Sequence, residues 1–212
     1  MDIVSLRERV RAAPWLASSN VPVVVVGVAL VCWGLASNGV YVDRSVGTGV
    51  VLNPLSYLTS MVLHFHWAHF ASNMRWWLPV GVVFTLLTSN RHVLLVAVAA
   101  HLSTQIVSSG LLRFVSGLSV VVFAVLTATL VRSIGVAFQN HSTETLQNAL
   151  AVLLIPVLAG VFLIVIVVGP SWVGHLEHFF GALFGAAIES MYVLRDHEAT
   201  TAAPSVPARR LP

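Results

Sequence analysis

The feature that most constrains the fold is a run of residues without charge near the start of the chain. Between Arg11 and Asp43 there is no charged residue, and residues 21–42 supply about the 20 apolar positions that a membrane-spanning helix needs. A secretory signal peptide is the competing interpretation, because Arg7, Arg9 and Arg11 precede the run. The run is long for a signal peptide, however, and no small-x-small cleavage site ends it. We therefore expect a retained first span.

Composition extends this expectation to the whole chain. Of its 212 residues, 57% are hydrophobic and only 9% are charged, and the mean hydropathy is +0.88. These values argue against a water-soluble globular domain. The basic residues are all arginine, and a net charge of +3 is too small and too dispersed for a nucleic-acid-binding surface. The single cysteine, Cys32, cannot form an intrachain disulfide. The sequence predicts an integral membrane protein.

Further apolar segments follow the first one along the chain. Pro79 and Pro156 are expected to kink two of them. The first loop, residues 43–63, is longer than most connections between packed helices, which favours a functional role. Six spans are predicted, at 21–42, 68–87, 93–112, 119–134, 146–168 and 173–194. The fold class is therefore all-α, a polytopic bundle of six transmembrane helices.

The distribution of arginines predicts how this bundle is oriented. Six spans place both termini on one side of the membrane. The arginines on that side are Arg7, Arg9, Arg11, Arg91, Arg132, Arg195, Arg209 and Arg210, and those on the other side are Arg44 and Arg113. The positive-inside rule then makes both termini cytoplasmic. We expect a multi-pass cell-membrane protein with a cytoplasmic segment at 1–20, the membrane domain at 21–194 and a disordered cytoplasmic tail at 195–212.

Polar residues interrupt the apolar spans in three clusters, all at the predicted outer ends. His69 and Asn73 are four residues apart in the second span, Ser119 follows Gly117 at the start of the fourth, and His178 lies near the start of the sixth. Such side chains cost several kcal/mol in a membrane unless they meet a partner or water, so each cluster indicates a functional site. A serine, a histidine and further imidazole or amide donors at one depth are typical of a hydrolase site.

Taken together, these residues resemble the rhomboid family of intramembrane serine proteases. The resemblance covers about residues 15–195 and consists of three short motifs in the order and on the spans that the family uses. They are His64, His69 and Asn73 (His-x4-His-x3-Asn), Gly117 and Ser119 (Gly-x-Ser), and His178, Gly181 and Gly185 (His-x2-Gly-x3-Gly).

The resemblance implies a catalytic dyad in which Ser119 is the nucleophile and His178 the general base. His69, Asn73 and the backbone N–H of Ser119 would stabilise the oxyanion. The implied reaction is cleavage of transmembrane segments of protein substrates within the lipid bilayer. It implies no metal or other cofactor and no nucleic-acid partner.

The remaining motif residues receive supporting roles from the same resemblance. His64 would hold the first loop, and Phe123 takes the place of the aromatic residue that packs against the catalytic histidine. Gly117, Gly181 and Gly185 complete the motifs, the last two by allowing another helix to approach closely. The turn at 169–172 would cap the site.

Two positions depart from the family pattern. Val120 follows the nucleophile, where the family usually has glycine or another small residue, and no Trp-Arg pair accompanies Asp43 and Arg44 in the first loop. We therefore expect an intact but slow protease.

Two alternative functions are considered beside the protease. One is a rhomboid-like protein without catalysis that binds membrane clients, against which the presence of both Ser119 and His178 argues. The other is a metal transporter with His64, His66 and His69 as ligands, since imidazole suits zinc or copper. That alternative gives Ser119 no role. His101 matches no family position, and His175 and Glu177 are expected to be solvated.

Overall fold

The computed structural model describes residues 20–37, 57–58, 60–64, 67–110, 117–139, 155, 159–160 and 175–202. Most of these residues are helical, and no strand occurs in the described ranges. The helices are α1 (Asn20–Ser37), α2 (Trp67–Leu87), α3 (Asn90–Gly110), α4 (Ser119–Gln139) and α5 (His175–Ala202).

These helices correspond to predicted spans one to four and to the sixth. The all-α prediction is confirmed for the described part of the chain. Of the predicted fifth span at 146–168 only residues 155 and 159–160 are described, and the turn at 169–172 and most of the first loop lie outside the described residues. The count of six spans therefore stays a prediction.

Helix ends differ from the predicted ends where one helix contacts another. Helix α5 continues to Ala202 instead of ending at Leu194, so the first part of the predicted disordered tail is helical. The reason is tertiary, because the Asp196 carboxylate accepts a hydrogen bond of 2.7 Å from Arg132 of α4. Helix α4 extends to Gln139 instead of Ile134.

Helix α4 is the central element of the bundle. Its residues from Val120 to Leu126 are all buried, and it packs against α2, α3 and α5. A helix that is apolar all round is stable only when it is surrounded by protein or lipid. Its segment Ser119–Ala137 is the one stretch among the described residues that is long and apolar enough to cross a membrane by length and composition. The shorter apolar helix Val21–Gly34 lies in α1.

Side-chain contacts give the directions of α1 and α2. The indole N–H of Trp77 donates to the carbonyl of Pro22 at 3.0 Å, whereas the rings of Trp33 and Phe70 lie 6.1 Å apart. The early part of one helix therefore contacts the late part of the other, so the two helices are antiparallel.

Helices α4 and α5 run parallel to each other. Gly181 lies against Val120, and further along the same pair Gly135 lies against Val193. Both helices therefore begin at one end of the bundle, which we call the Ser119 end. The opposite end is called the Glu189 end.

An ionic network joins three helices at the Glu189 end. Glu189 of α5 is fully buried, and its carboxylate accepts hydrogen bonds from the Arg132 guanidinium and from His92 Nε2, the latter at 2.5 Å. The ring of Tyr192 meets His92 edge to face, with centroids 4.5 Å apart. Arg132 also binds Asp196. This network fixes α3, α4 and α5 relative to one another.

Candidate active site

Helices α4 and α5 approach each other closely because two glycines of α5 face the α4 backbone. A Cβ placed on Gly181 would lie 2.6 Å from the carbonyl oxygen of Val120, and one on Gly185 would lie 2.6 Å from the Cα of Ala124. Real Cβ atoms do not come so near a backbone, so a larger residue would force the helices apart. The hydroxyl of Thr127 crosses the same contact and donates to the carbonyl of Ala182 at 2.9 Å.

This close approach brings His178 against α4. The imidazole of His178 stacks on the ring of Phe123, with centroids 4.4 Å apart and planes inclined by 14°. Ser119 is four residues before Phe123 and therefore lies on the same face of α4, one turn nearer the helix start. The Ser119 side chain is half-buried. Among the described residues no hydrogen bond joins Ser119 to His178.

The residue two before Ser119 has a backbone conformation that favours glycine. Gly117 has a φ of 97°, in the left-handed region that L side chains rarely adopt. A Cβ there would also lie 2.7 Å from Cε1 of His69 and 3.4 Å from Nδ2 of Asn73. Gly117 therefore lets the start of α4 lie directly against the polar face of α2.

His64 holds the amide of Asn73. Because the carbonyl of Val62 can only accept, the 3.0 Å contact with His64 Nδ1 means that Nδ1 carries the proton. The unprotonated Nε2 then accepts from Nδ2 of Asn73 at 2.9 Å and lies 3.5 Å from the backbone N–H of Leu118. Burial, reinforced by the neighbouring His69, lowers the pKa of His64 to about 4, so this residue of the loop before α2 stays neutral near pH 7.

Comparison with models of protein families shows which family this chain belongs to. The model of the Rhomboid domain matches residues 53–195, more than half of the chain. The chain belongs to the rhomboid family. Its resemblance to that family is thereby confirmed, and it is an integral membrane protein. The rhomboid family comprises intramembrane serine proteases and inactive relatives. No curated protein matches the chain.

The motif residues of this rhomboid fall into two groups of neighbours. On the α2 side His69 and Asn73 lie against Gly117, and His64 contacts both of them. On the α5 side Phe123, Val120 and Ala124 of α4 meet His178, Gly181 and Gly185. Ser119 follows Gly117 by two residues and begins the face that carries Phe123, so it lies between the groups.

Three further polar residues of this rhomboid lie outside the two groups. Glu177 is buried, with 8% of its surface exposed, so the expectation that it is solvated is wrong. Arg75, an arginine inside the second span, is exposed with its guanidinium carbon 5.9 Å from the Trp76 ring centroid, a cation–π contact. His66 lies outside the described residues.

Sequence reasoning missed a second polar cluster of this rhomboid, at the same end of the bundle. Ser60 of the first loop is fully buried together with His101 and Gln105 of α3, and its carbonyl oxygen accepts the backbone N–H of Gly117 at 2.8 Å. The available signal was the presence of His101 and Gln105 four residues apart in an apolar span, where polar side chains need partners.

The metal-transporter alternative requires several side chains that can bind one metal ion together. Within the described ranges, no group of three or more His, Cys, Asp or Glu side chains is arranged to hold a metal ion. The nitrogen atoms of His64 are both used, one by Val62 and the other by Asn73. The described donors therefore give that alternative no support.

Proposed function

We propose that this rhomboid-family chain is an intramembrane serine endopeptidase that cleaves transmembrane segments of other membrane proteins. Ser119 acts as the nucleophile and His178 as the general base. The observation that carries the proposal is the stack of His178 on Phe123, because it holds an imidazole beside the face of α4 that begins at Ser119.

His178 takes up and gives back a proton once in each of the two half-reactions. Ser119 Oγ attacks the carbonyl carbon of the scissile peptide while its proton passes to the imidazole, and a tetrahedral oxyanion forms. When the C–N bond breaks, the imidazolium gives that proton to the leaving amine. Water then hydrolyses the acyl-enzyme by the same route in reverse. His178 must be unprotonated at the start of each half-reaction.

Three hydrogen-bond donors would stabilise the oxyanion: the His69 imidazole and the Asn73 amide of α2, and the backbone N–H of Ser119 at the start of α4. The contact from Asn73 Nδ2 to His64 uses one amide hydrogen and fixes the orientation of the amide. Its second hydrogen is then available to the substrate oxygen. Gly117 supports this arrangement because it admits His69 at a distance that a side chain would block.

The proposed topology has six spans with both termini cytoplasmic, formed by a membrane domain at 21–194. The parallel directions of α4 and α5 support an additional crossing, since a chain that leaves α4 at the Glu189 end must return to the Ser119 end before α5 begins. The site would then open towards the outer side of the cell membrane. The arginine distribution supports the same orientation.

Inactive members of the family make a client-binding protein the second candidate. The presence of both Ser119 and His178, with an aromatic ring stacked on the latter, favours catalysis. A protein that only bound clients would not need a serine and an imidazole on facing helices.

A serine-reactive fluorophosphonate tests the nucleophile directly. Purified protein in detergent or liposomes is treated with the reagent beside Ser119→Ala, and cleavage of a generic transmembrane substrate is followed with the same preparations and with His178→Ala. We expect labelling and cleavage only with Ser119 present, and cleavage lost in His178→Ala. Equal labelling of wild type and Ser119→Ala would refute the assignment.

A further inference from the structure

Three buried polar side chains form a network that the dyad and the oxyanion donors do not include. Ser60 comes from the first loop, and His101 and Gln105 lie one turn apart on α3; all three have no exposed surface. A buried polar group without a hydrogen bond is destabilising by about 1–3 kcal/mol. Because they are completely buried at the Ser119 end, these side chains need hydrogen-bond partners inside the protein.

The directions of the hydrogen bonds follow from the chemistry of the partners. The Ser60 hydroxyl donates to the carbonyl of Tyr57 at 2.7 Å, because a carbonyl oxygen can only accept. His101 Nε2 lies 2.9 Å from the same oxygen and 3.0 Å from Ser60 Oγ, so this nitrogen carries the proton. Gln105 Nε2 donates to Ser60 Oγ at 2.6 Å. The Ser60 hydroxyl therefore donates its one hydrogen to Tyr57 and accepts from Gln105. The single His101 Nε2 proton is shared between Ser60 Oγ and the Tyr57 carbonyl, and His101 Nδ1 has no hydrogen-bond partner among the described residues.

The main chain of Ser60 connects this network to the start of α4. Its carbonyl oxygen accepts the N–H of Gly117 at 2.8 Å. Gly117 lies against His69 and Asn73 and is followed by Leu118 and Ser119. A displacement of Ser60 would therefore move the Gly117 peptide, and with it the backbone N–H of Ser119 and the surface that contacts His69.

We propose that Ser60, held in place by His101 and Gln105, is a positioning residue that sets the oxyanion donors of the Ser119 site. It touches no reacting atom and acts through the Gly117 peptide. This inference rests on the proposed protease function. It gives His101, which matches no family position, a role in the reaction.

The test separates placement of the donors from stability of the fold. In Ser60→Ala, we expect kcat to fall about 10- to 100-fold, because small displacements of catalytic groups have effects of this size. KM for a transmembrane substrate stays unchanged. The rate of fluorophosphonate labelling falls in parallel, since the phosphonyl oxygen uses the same donors. Ser60→Thr, which keeps the hydroxyl, restores both rates.

Ser108→Ala is the matched control. Ser108 is on α3 and is 1% exposed, and its hydroxyl has no hydrogen-bond partner among the described residues. The Ser108→Ala variant loses a hydroxyl oxygen, as Ser60→Ala does, from an equally buried position outside the network. We expect its kcat to equal that of wild type. Thermal unfolding of every variant in the same detergent shows that rates are compared on folded protein. If Ser60→Ala does not fold, Gln105→Met, which keeps the side-chain length without the donor, must show the same loss of kcat at constant KM.

The outcomes distinguish a failure of the proposed protease function from a failure of this inference alone. Cleavage and labelling by wild type that do not depend on Ser119 would refute the protease and this inference together. Ser119-dependent cleavage with equal kcat in Ser60→Ala and Ser108→Ala would overturn the inference alone. A loss in Ser60→Ala that follows only its unfolded fraction would also overturn it, because the network would then be structural.

Discussion

The imidazole of His178 and the ring of Phe123 are nearly parallel, inclined by 14° at a centroid distance of 4.4 Å. Stacked aromatic pairs contribute about 0.5–1.5 kcal/mol beyond their buried area, enough to select one orientation of the imidazole. Phe123→Leu keeps an apolar side chain but removes the flat face. We expect kcat for a transmembrane substrate to fall about 10- to 100-fold, as for other small misplacements of a catalytic group.

Phe123→Tyr is the control for this stack, because it keeps the ring and is expected to retain activity. Both variants are compared with wild type in a liposome cleavage assay. Equal kcat for Phe123→Leu and wild type would show that the stack does not orient the base.

Gly117→Ala is expected to abolish cleavage. The alanine side chain is strained at a φ of 97° and meets His69 Cε1 at 2.7 Å, so either the peptide or the imidazole must move. The control is Gly27→Ala on α1, where a Cβ would have no atom within 4 Å and where alanine is the better helix former. Gly27→Ala should keep full activity and an unfolding temperature no lower than that of wild type. Retained cleavage in Gly117→Ala would mean that the start of α4 does not need this conformation.

The stability of the protein is expected to depend on pH through His64. Its folded pKa of about 4 is below the ordinary 6.5, so between these values the unfolded chain binds more protons than the folded one. Stability is then full above pH 6.5 and is lost as the pH falls towards 4. His64→Asn cannot titrate and should show a smaller decline of the unfolding temperature over this window.

His175→Asn is the matched variant for the His64 experiment, since it makes the same change at an exposed histidine. The unfolding temperature of each protein is measured in detergent from pH 7.5 to about 4. Parallel curves for His64→Asn and wild type would contradict the prediction.

Arg132 pairs with two carboxylates at the Glu189 end, and breaking the buried pair is expected to reduce stability more than breaking the exposed one. Arg132→Met leaves the fully buried carboxylate of Glu189 with His92 alone, and breaking a buried pair in this way typically costs about 3–5 kcal/mol. Asp196→Asn removes a partner whose side chain is 57% exposed, for which about 0–1 kcal/mol is typical. Thermal unfolding in one detergent compares them. Similar losses in both variants would show that the buried pair has no special importance.

The sequence predicted the positions of the described helices well, but it did not predict which side chains pair between them. The fourth span was expected to begin at Ser119, and α4 begins there. Glu189 was overlooked although a carboxylate in an apolar span needs a partner, and its partners Arg132 and His92 lie far away in sequence.

The extension of α5 and the burial of Ser60 were beyond prediction for the same physical reason. The extension to Ala202 depends on a contact between Asp196 and α4. The burial of Ser60 depends on how the first loop packs against α3. Periodicity and motifs describe one segment at a time, whereas these features arise only when segments pack together.

Val120 gives the last prediction. It is fully buried, and its carbonyl oxygen and Cγ1 lie 2.6 and 3.0 Å from where a Cβ on Gly181 would stand. The valine therefore occupies the crossing of α4 and α5, at a position that rhomboids usually keep small. Overpacking at such a contact typically costs about 1–3 kcal/mol or is relieved by moving the helices apart. Either effect would disturb the distance between Ser119 and His178, where about 1 Å can change the rate roughly 100-fold.

We therefore expect Val120→Gly to raise the cleavage rate of a generic transmembrane substrate without increasing stability, since removing a buried side chain also loses apolar contacts. Val121→Gly is the matched control. Its valine is also fully buried but is the next residue along α4 and so points in another direction. It should lower the unfolding temperature with no gain in rate, which separates relief at the crossing from general loosening of α4. A lower rate in Val120→Gly would instead mean that the valine belongs to a repacked, adapted site, in which its bulk helps to set the distance between Ser119 and His178.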